Sequence, residues 1–199
     1  MHDIKKILYF YKESCESIQS LKDYLATQKS IQSTFSKKIP DDFLEFASFE
    51  KSGGNLVVFD DFYSDALTNE TLREIWLKLA TVYTHHHSLV CMVTIHSYEI
   101  FLKASKLNGI LQSSSHLIFF KTTHDQKALK RIFSHYEIKL KNGGSLWGIY
   151  KQYVMSRRHA YLILCISQLC QRATAFSNVL LKNEGPLLSF HQTSSDEDE

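Results

Sequence analysis

The chain has 199 residues, of which 44% are apolar and 22% charged; this composition suits a globular domain and excludes wholesale disorder, collagen and a disulfide miniprotein. Its formal net charge is +2 and its pI is near 8.3, a balance that neither requires nor excludes a polyanionic partner. Seven glycines and two prolines are few for this length, so the residues that form turns, or that let the backbone approach a phosphate group, are scarce.

Short apolar runs alternate with segments of helical periodicity. In chain order, the predicted elements are a strand at Lys6–Tyr11, a helix at Ser17–Lys29, a short strand at Ile31–Phe35, a short helix or loop at Asp41–Phe49, a strand at Asn55–Phe59, a helix capped by Asn69 and running through Tyr83, a strand at Ser88–Ile95, a helix at Tyr98–Leu107, a strand at His116–Phe120, helices at Asp125–Tyr136 and Ser145–Arg157, a strand at Ala160–Ile166 and a closing strand at Asn178–Leu181.

The strand runs are apolar throughout, which indicates that both faces of each strand are covered. This pattern predicts an α/β fold with a mostly parallel sheet flanked by helices. No linker or repeat divides the chain, so we expect one domain over residues 1–191 and a disordered acidic tail over residues 192–199. No run reaches 18 apolar residues, so no membrane span is expected. Four widely spaced cysteines and no signal peptide predict an intracellular protein, cytoplasmic or nuclear.

The sharpest local feature is the run Leu56–Phe59, which is followed directly by Asp60 and Asp61. A buried strand that ends in two carboxylates fits a Walker B segment, in which the first acid holds Mg²⁺ through water and the second orients the attacking water. Aspartate also suits turns, so the pair taken alone favours the start of a loop over a magnesium site.

The next predicted strand ends in Thr94-Ile95-His96-Ser97, a second polar cluster. Ligands of parallel sheets bind at the carboxyl ends of the strands. We therefore expect His96 to lie at the same sheet edge as Asp60 and Asp61.

Three segments in order, NLVVFDDF, THHHSLVCMVTIHS and SSSHLIFFKTTHDQKALKRI, resemble the packaging ATPases of the FtsK–HerA superfamily, in particular those of poxviruses and of Polinton/Maverick transposons. The resemblance covers about Ile7 to Leu181. It implies a P-loop NTPase-like fold of the RecA/FtsK–HerA type and ATP-driven DNA translocation, with Mg²⁺ and ATP as cofactors. It further implies a homo-oligomeric ring and capsid proteins as partners.

By this resemblance, Asp60 is the Mg²⁺ acid, Asp61 is the catalytic acid, and His85 and His86 match a His-His pair. His96 takes the place of the family's sensor glutamine. Further departures stand where the family has asparagine or arginine: Ser97 replaces an asparagine, and Asn108, His124 and Phe176 replace arginines. Because the planar guanidinium is hard to replace in phosphate chemistry, these losses weaken any arginine-finger role.

The 199 residues contain no phosphate loop of the form GxxxxGKS or GxxxxGKT, whose glycine backbone wraps phosphates and whose lysine reaches the β and γ oxygens. By the resemblance this loop precedes the strand at Ile7–Phe10, and only six residues come before Ile7. The expectation is that the N-terminal strand–loop–helix unit is missing and that this chain does not hydrolyse ATP. The Asn55–Phe59 strand is then expected to lack a partner along one edge.

Two other interpretations stay open. The chain could be a non-catalytic protein that joins ring assemblies or binds DNA, with Lys127, Lys130 and Arg131 contacting the DNA backbone. Taken alone, these three residues favour a solvated helix face over contact with DNA. Alternatively, the chain is an unrelated doubly wound binding domain in which Asp60-Asp61 begins a loop.

Overall fold

The structure, a computed structural model, describes residues 3–49, 53–97, 110, 113, 114, 116–135, 145–157, 160–165, 174–177 and 188–191. The elements predicted at 98–107 and 178–181 and the tail at 192–199 lie outside the described residues. The chain forms two compact units, Met1–Ser113 and Ser114–Glu199.

A parallel sheet of four strands forms the centre of the first unit. Its elements are β1 (Ile4–Tyr11), α1 (Glu16–Thr27), β2 (Gln32–Ser36), α2 (Phe43–Ala47), β3 (Gly54–Asp60), α3 (Tyr63–Thr68), α4 (Glu70–Lys78), α5 (Thr84–His86) and β4 (Leu89–Val93). A π-helical segment, Leu79–Tyr83, joins α4 to α5. The strand order is β2-β1-β3-β4, with every neighbouring pair parallel. The prediction of an α/β fold with a parallel sheet is confirmed for this unit.

The two central strands are covered on both faces, which explains why their sequences are apolar throughout. On one face, Phe10 of β1 stacks on Phe59 of β3 at a ring separation of 5.5 Å, and Phe43 of α2 packs against both. Trp76 of α4 completes this core with its ring 5.6 Å from that of Phe59. On the other face, α1 reaches the sheet through Lys22, whose ammonium lies over the Tyr11 ring. Helices therefore pack on both faces of β1, and β3 is buried on both of its faces.

The open edge of this sheet is not where the sequence places it. Strand β3 is central and pairs with β1 on one side and with β4 on the other, so the expectation of an unpartnered Asn55–Phe59 strand is wrong. Among the described strands, β4 is the outer one on that side, and its Val90 and Met92 are 53% and 43% exposed. An apolar outer strand is an aggregation hazard, and on this side of the sheet that strand is β4 among the described residues.

Helix α4 begins at the predicted cap, whereas α3, which precedes it, was not predicted. The side chain of Asn69 accepts a hydrogen bond from the backbone N–H of Leu72 at 3.1 Å, which satisfies one of the unpaired donors at the start of α4. The predicted helical spacing buries Leu72, Ile75 and Trp76.

The second unit contains a separate sheet. Its elements are β5 (His116–Phe120), α6 (Gln126–His135), α7 (Leu146–Ile149), a π-helical segment (Tyr150–Met155), β6 (Tyr161–Cys165), β7 (Thr174–Ser177) and β8 (Leu188–His191). The order is β5-β6-β7-β8, and all three pairs are antiparallel. The expectation of a mostly parallel sheet therefore holds in the first unit and not in the second, because an apolar run carries no information on pairing direction. None of the described helices is long and apolar enough to cross a membrane.

Candidate functional site

The carboxyl edge of the parallel sheet gathers the polar residues that the sequence singles out. Asp60 is the last residue of β3, and Asp61 follows it directly. Thr94 and His96 follow the end of β4, the neighbouring strand. The backbone N–H of Thr94 donates to the carbonyl of Phe59 at 3.0 Å, which ties the two strand ends together. Asp60, Asp61 and His96 therefore lie at one edge of the sheet, while their roles stay predictions.

The Thr94 hydroxyl connects the two carboxylate-bearing residues. It donates to Oδ1 of Asp60 at 2.8 Å and accepts from the backbone N–H of Asp61 at 2.9 Å. The other carboxylate oxygen of Asp60 accepts a hydrogen bond from the Tyr9 hydroxyl at 3.2 Å. Each carboxylate oxygen can accept more than one hydrogen bond. The Asp60 carboxylate is thus held in one orientation and keeps acceptor capacity on both oxygens.

Tyr9 is a donor whose protonation state is well defined. Burial, followed by the charge of Asp60 and the hydrogen bond to it, raises the pKa of Tyr9 to about 12. The phenol therefore stays protonated near neutral pH and donates to Asp60 there. The sequence does not identify Tyr9, because its relation to Asp60 depends on the pairing of β1 with β3.

Asp61 adopts a left-handed backbone conformation with φ of 65°. Aspartate tolerates this region better than most residues, although it is still less favourable than for glycine. In this position Oδ1 of Asp61 lies 3.5 Å from Nε2 of His96, and the two side chains are 43% and 65% exposed. The Tyr63 and His96 rings lie edge to face, with their centres 6.3 Å apart. A carboxylate and an imidazole are therefore adjacent and accessible to water at this edge.

Strand β1 contributes further charged and aromatic groups to the same edge, which sequence reasoning did not identify. Lys22 donates to the Tyr11 hydroxyl at 2.8 Å, and this bond, with a second from Ser14, lowers the pKa of Tyr11. Lys12, the next residue, pairs with Asp65 of α3. A signal was present, since Tyr11-Lys12 also follows an apolar run whose carboxyl end lies at this edge.

A pocket of about 140 Å³ lies in the first unit, but neither Asp60 nor Asp61 lines it. Ligand pockets usually span about 300–1,000 Å³, so this one suits little more than a few water molecules. It is lined by Ile39, Pro40, Asp41, Phe62, Asp65, Asn69, Thr71, Leu72 and Ile75.

The predicted nucleic-acid residues lie on a helix of the second unit. Lys127, Lys130 and Arg131 are exposed on α6, whose opposite side is buried. The Lys130 ammonium lies 5.4 Å from the centre of the Trp147 ring, a cation–π contact. This arrangement is that of an amphipathic surface helix, and contact with DNA stays a prediction.

The histidine run ends a helix. His85 and His86 belong to α5, and His87 follows as its C-terminal cap and stacks on Tyr83 at 5.0 Å. Within the described part of the chain, no three His, Cys, Asp or Glu side chains are grouped so that they could hold a metal ion. Asp60 and Asp61 therefore offer two carboxylates, and any cation there would need further oxygen ligands from water or from a bound molecule.

Comparison with known proteins adds no relative: no protein-family model, no curated protein and no solved structure matches the chain.

Proposed function

We propose that the first unit is the magnesium-and-water side of a packaging-ATPase-like site, and that this chain by itself does not hydrolyse ATP. One observation supports the proposal. The parallel strands β3 and β4 are neighbours, and the Thr94 hydroxyl, just after β4, is hydrogen-bonded to both Asp60 and Asp61 at the end of β3. His96 follows the end of β4 at the same edge. The carboxyl edge of a parallel sheet is where such folds bind phosphate ligands.

The residues divide the chemistry between them. Asp60, held by the Tyr9 and Thr94 hydroxyls, presents oriented carboxylate oxygens to the water shell of a divalent cation. Asp61, whose side chain is 43% exposed, would orient or deprotonate an attacking water. His96, 3.5 Å from Asp61, would respond to the charge of a phosphate at this edge.

The fit to the implied cofactors is unequal. Two adjacent carboxylates suit Mg²⁺, which keeps several waters and takes one or two carboxylates together with phosphate oxygens. The 199 residues contain no glycine-rich loop with a following lysine that could cradle the β and γ phosphates. The residues present therefore suit a hydrated Mg²⁺ but do not suit ATP.

ATP turnover tests the proposal directly. We expect the purified chain to release no phosphate above background from ATP with Mg²⁺, and an Asp61→Ala variant to give the same baseline. Magnesium-dependent turnover that disappears in Asp61→Ala would overturn the statement that the chain is inactive. Weak Mg²⁺ binding, measured by calorimetry and reduced in Asp60→Asn, would support the assignment of Asp60 to the Mg²⁺ site. Equal binding by both proteins would refute it.

A second candidate is a non-catalytic protein that binds DNA or joins a ring around it, with capsid proteins as further partners. The observation that favours it is charge: residues 114–191 contain eleven lysines and arginines against three acidic residues, a formal charge of +8. Duplex DNA binding without nucleotide, falling steeply with salt and weakened by Lys127→Ala with Arg131→Ala, would support contact through α6. Light scattering of the chain with and without duplex DNA measures ring assembly.

A further inference from the structure

Strand β5 of the second sheet exposes apolar side chains on one of its two faces. Phe119 of β5 points to the buried side, where its ring meets the ring of Phe133 of α6 at 4.9 Å. Its neighbours in the strand point the other way, and Ile118 and Phe120 are 38% and 61% exposed. The prediction of a strand buried on both faces is therefore wrong for His116–Phe120. The described helices of this unit pack on the Phe119 side.

Cross-strand pairing extends this open face onto β6. Phe120 lies opposite Tyr161 and Ile118 lies opposite Ile163 in the antiparallel register. The Phe120 and Tyr161 rings are 6.0 Å apart at an angle of 58°. We call these four residues the aromatic face. Its two aromatic rings are neighbours at one end, and its two isoleucines continue the apolar surface.

The backbone under the aromatic face is anchored. The carbonyl of Phe120 accepts a hydrogen bond from the Tyr150 hydroxyl at 2.8 Å, and the same hydroxyl accepts from the backbone N–H of Thr122 at 2.9 Å. Tyr150 is fully buried. Because a buried side chain clamps the strand end, the Phe120 ring is held on a rigid support. A preorganised ring loses little conformational entropy when a ligand covers it.

The net positive charge of the second unit indicates which kind of ligand the aromatic face would bind. Residues 1–113 have a formal charge of −2, whereas residues 114–191 have +8. The described residues of the second unit include six lysines and arginines but a single acidic residue, Asp125. Lys121 directly follows Phe120 and is exposed. An exposed apolar surface on a unit of strongly positive net charge suits a ligand that combines flat apolar groups with negative charge.

We propose that the aromatic face binds single-stranded nucleic acid, with an unpaired base stacked on Phe120 beside Tyr161 and a phosphate near Lys121. Aromatic rings on an open sheet face with basic neighbours are a stacking platform for unpaired bases. In a duplex the base faces are already covered by neighbouring bases, so the ring gains no stacking partner there. This proposal rests on the second unit alone and does not require the ATPase-like site.

Fluorescence anisotropy with the full chain tests it, with a labelled 20-residue oligo(dT) and a labelled duplex as probes, in the absence of nucleotide. We expect Phe120→Ala to weaken oligo(dT) binding roughly 10-fold and Phe120→Trp to preserve it, since stacking needs the ring. Duplex binding should change little in either variant. Phe46, a 42% exposed phenylalanine of the first unit, provides the matched control, and Phe46→Ala should bind oligo(dT) normally. Lys121→Ala should lower the slope of log Kd against log salt by about 0.7, the value of one phosphate contact to a single strand.

Several results would overturn the proposal. Unchanged oligo(dT) binding in Phe120→Ala would do so, as would equal weakening in Phe120→Ala and Phe46→Ala. If the chain does not bind oligo(dT), and light scattering shows a dimer that Phe120→Ala dissociates, the face belongs to self-association instead. Circular dichroism checks the fold of each variant. Should Phe120→Ala be misfolded, Phe120→Leu, which keeps apolar bulk without a ring, gives the deciding affinity.

Discussion

The Thr94 hydroxyl links Asp60 to Asp61, and its removal should lower the free energy of unfolding of the first unit. Thr94→Val keeps the shape of the side chain but removes one hydrogen bond to the Asp60 carboxylate and one from the backbone N–H of Asp61. A hydrogen bond to a charged group contributes about 1.5–3 kcal/mol and a neutral one about 0.5–1.5 kcal/mol. Because the site is only partly buried, we expect the lower end, a loss of about 2 kcal/mol.

Urea unfolding measures this loss if the signal comes from the first unit alone. The chain has two tryptophans, Trp76 in the core of the first unit and Trp147 in the second. In a Trp147→Phe background, emission therefore reports the unit that contains Thr94. With an m-value of about 2 kcal/mol/M, a loss of about 2 kcal/mol lowers the midpoint by about 1 M.

Thr94→Ser is the matched control, because it keeps both hydrogen bonds and loses only a methyl group, worth less than about 0.8 kcal/mol. Its midpoint should therefore fall by less than half as much. Equal midpoints for Thr94→Val and Thr94→Ser would show that the hydroxyl does not stabilise the edge, and the reasoning about Asp60 would fail with it.

Three further predictions concern the same unit. The pKa of Tyr9 is raised to about 12 in the folded state and is near 10 in the unfolded state, so its contribution to stability is complete below pH 10 and is lost as pH rises through 12. Tyr9→Phe should flatten this loss of stability in unfolding curves taken between pH 9 and 12, and an unchanged pH dependence would contradict the assignment. Gly54→Ala would place a methyl group 2.5 Å from the carbonyl oxygen of Asp3, so we expect a lowered thermal midpoint and a cost of about 1–3 kcal/mol, whereas a wild-type midpoint would show that the strand start yields freely. Val90→Lys, on the exposed side of β4, should slow aggregation on heating, measured by light scattering, while changing the unfolding midpoint little; faster aggregation would argue against β4 as the exposed edge.

The sequence predicts those residues of the candidate site that follow directly after parallel strands. Asp60 and Asp61 follow one apolar strand, and His96 follows the next, so the rule that carboxyl ends meet at one edge places them together. Tyr9 was not predictable, because it is 51 residues from Asp60 and meets it only through the register of β1 against β3. Thr94 is visible in the sequence as a polar residue, but its role as the bridge depends on ångström-level positions.

The sequence by itself determined the four strands of the first unit and the start of α4, because hydrophobic periodicity and the Asn69 cap are local properties of the chain. It predicted no helix at Tyr63–Thr68. It also determined the concentration of positive charge after residue 113, which composition alone displays. Tertiary structure decided which strand is central, which described strand is the outer one and which way β5 and β6 pair. It also decided that Phe120 is exposed, because an apolar run reads the same whether one face or both are covered, and only the packing of the helices distinguishes the two.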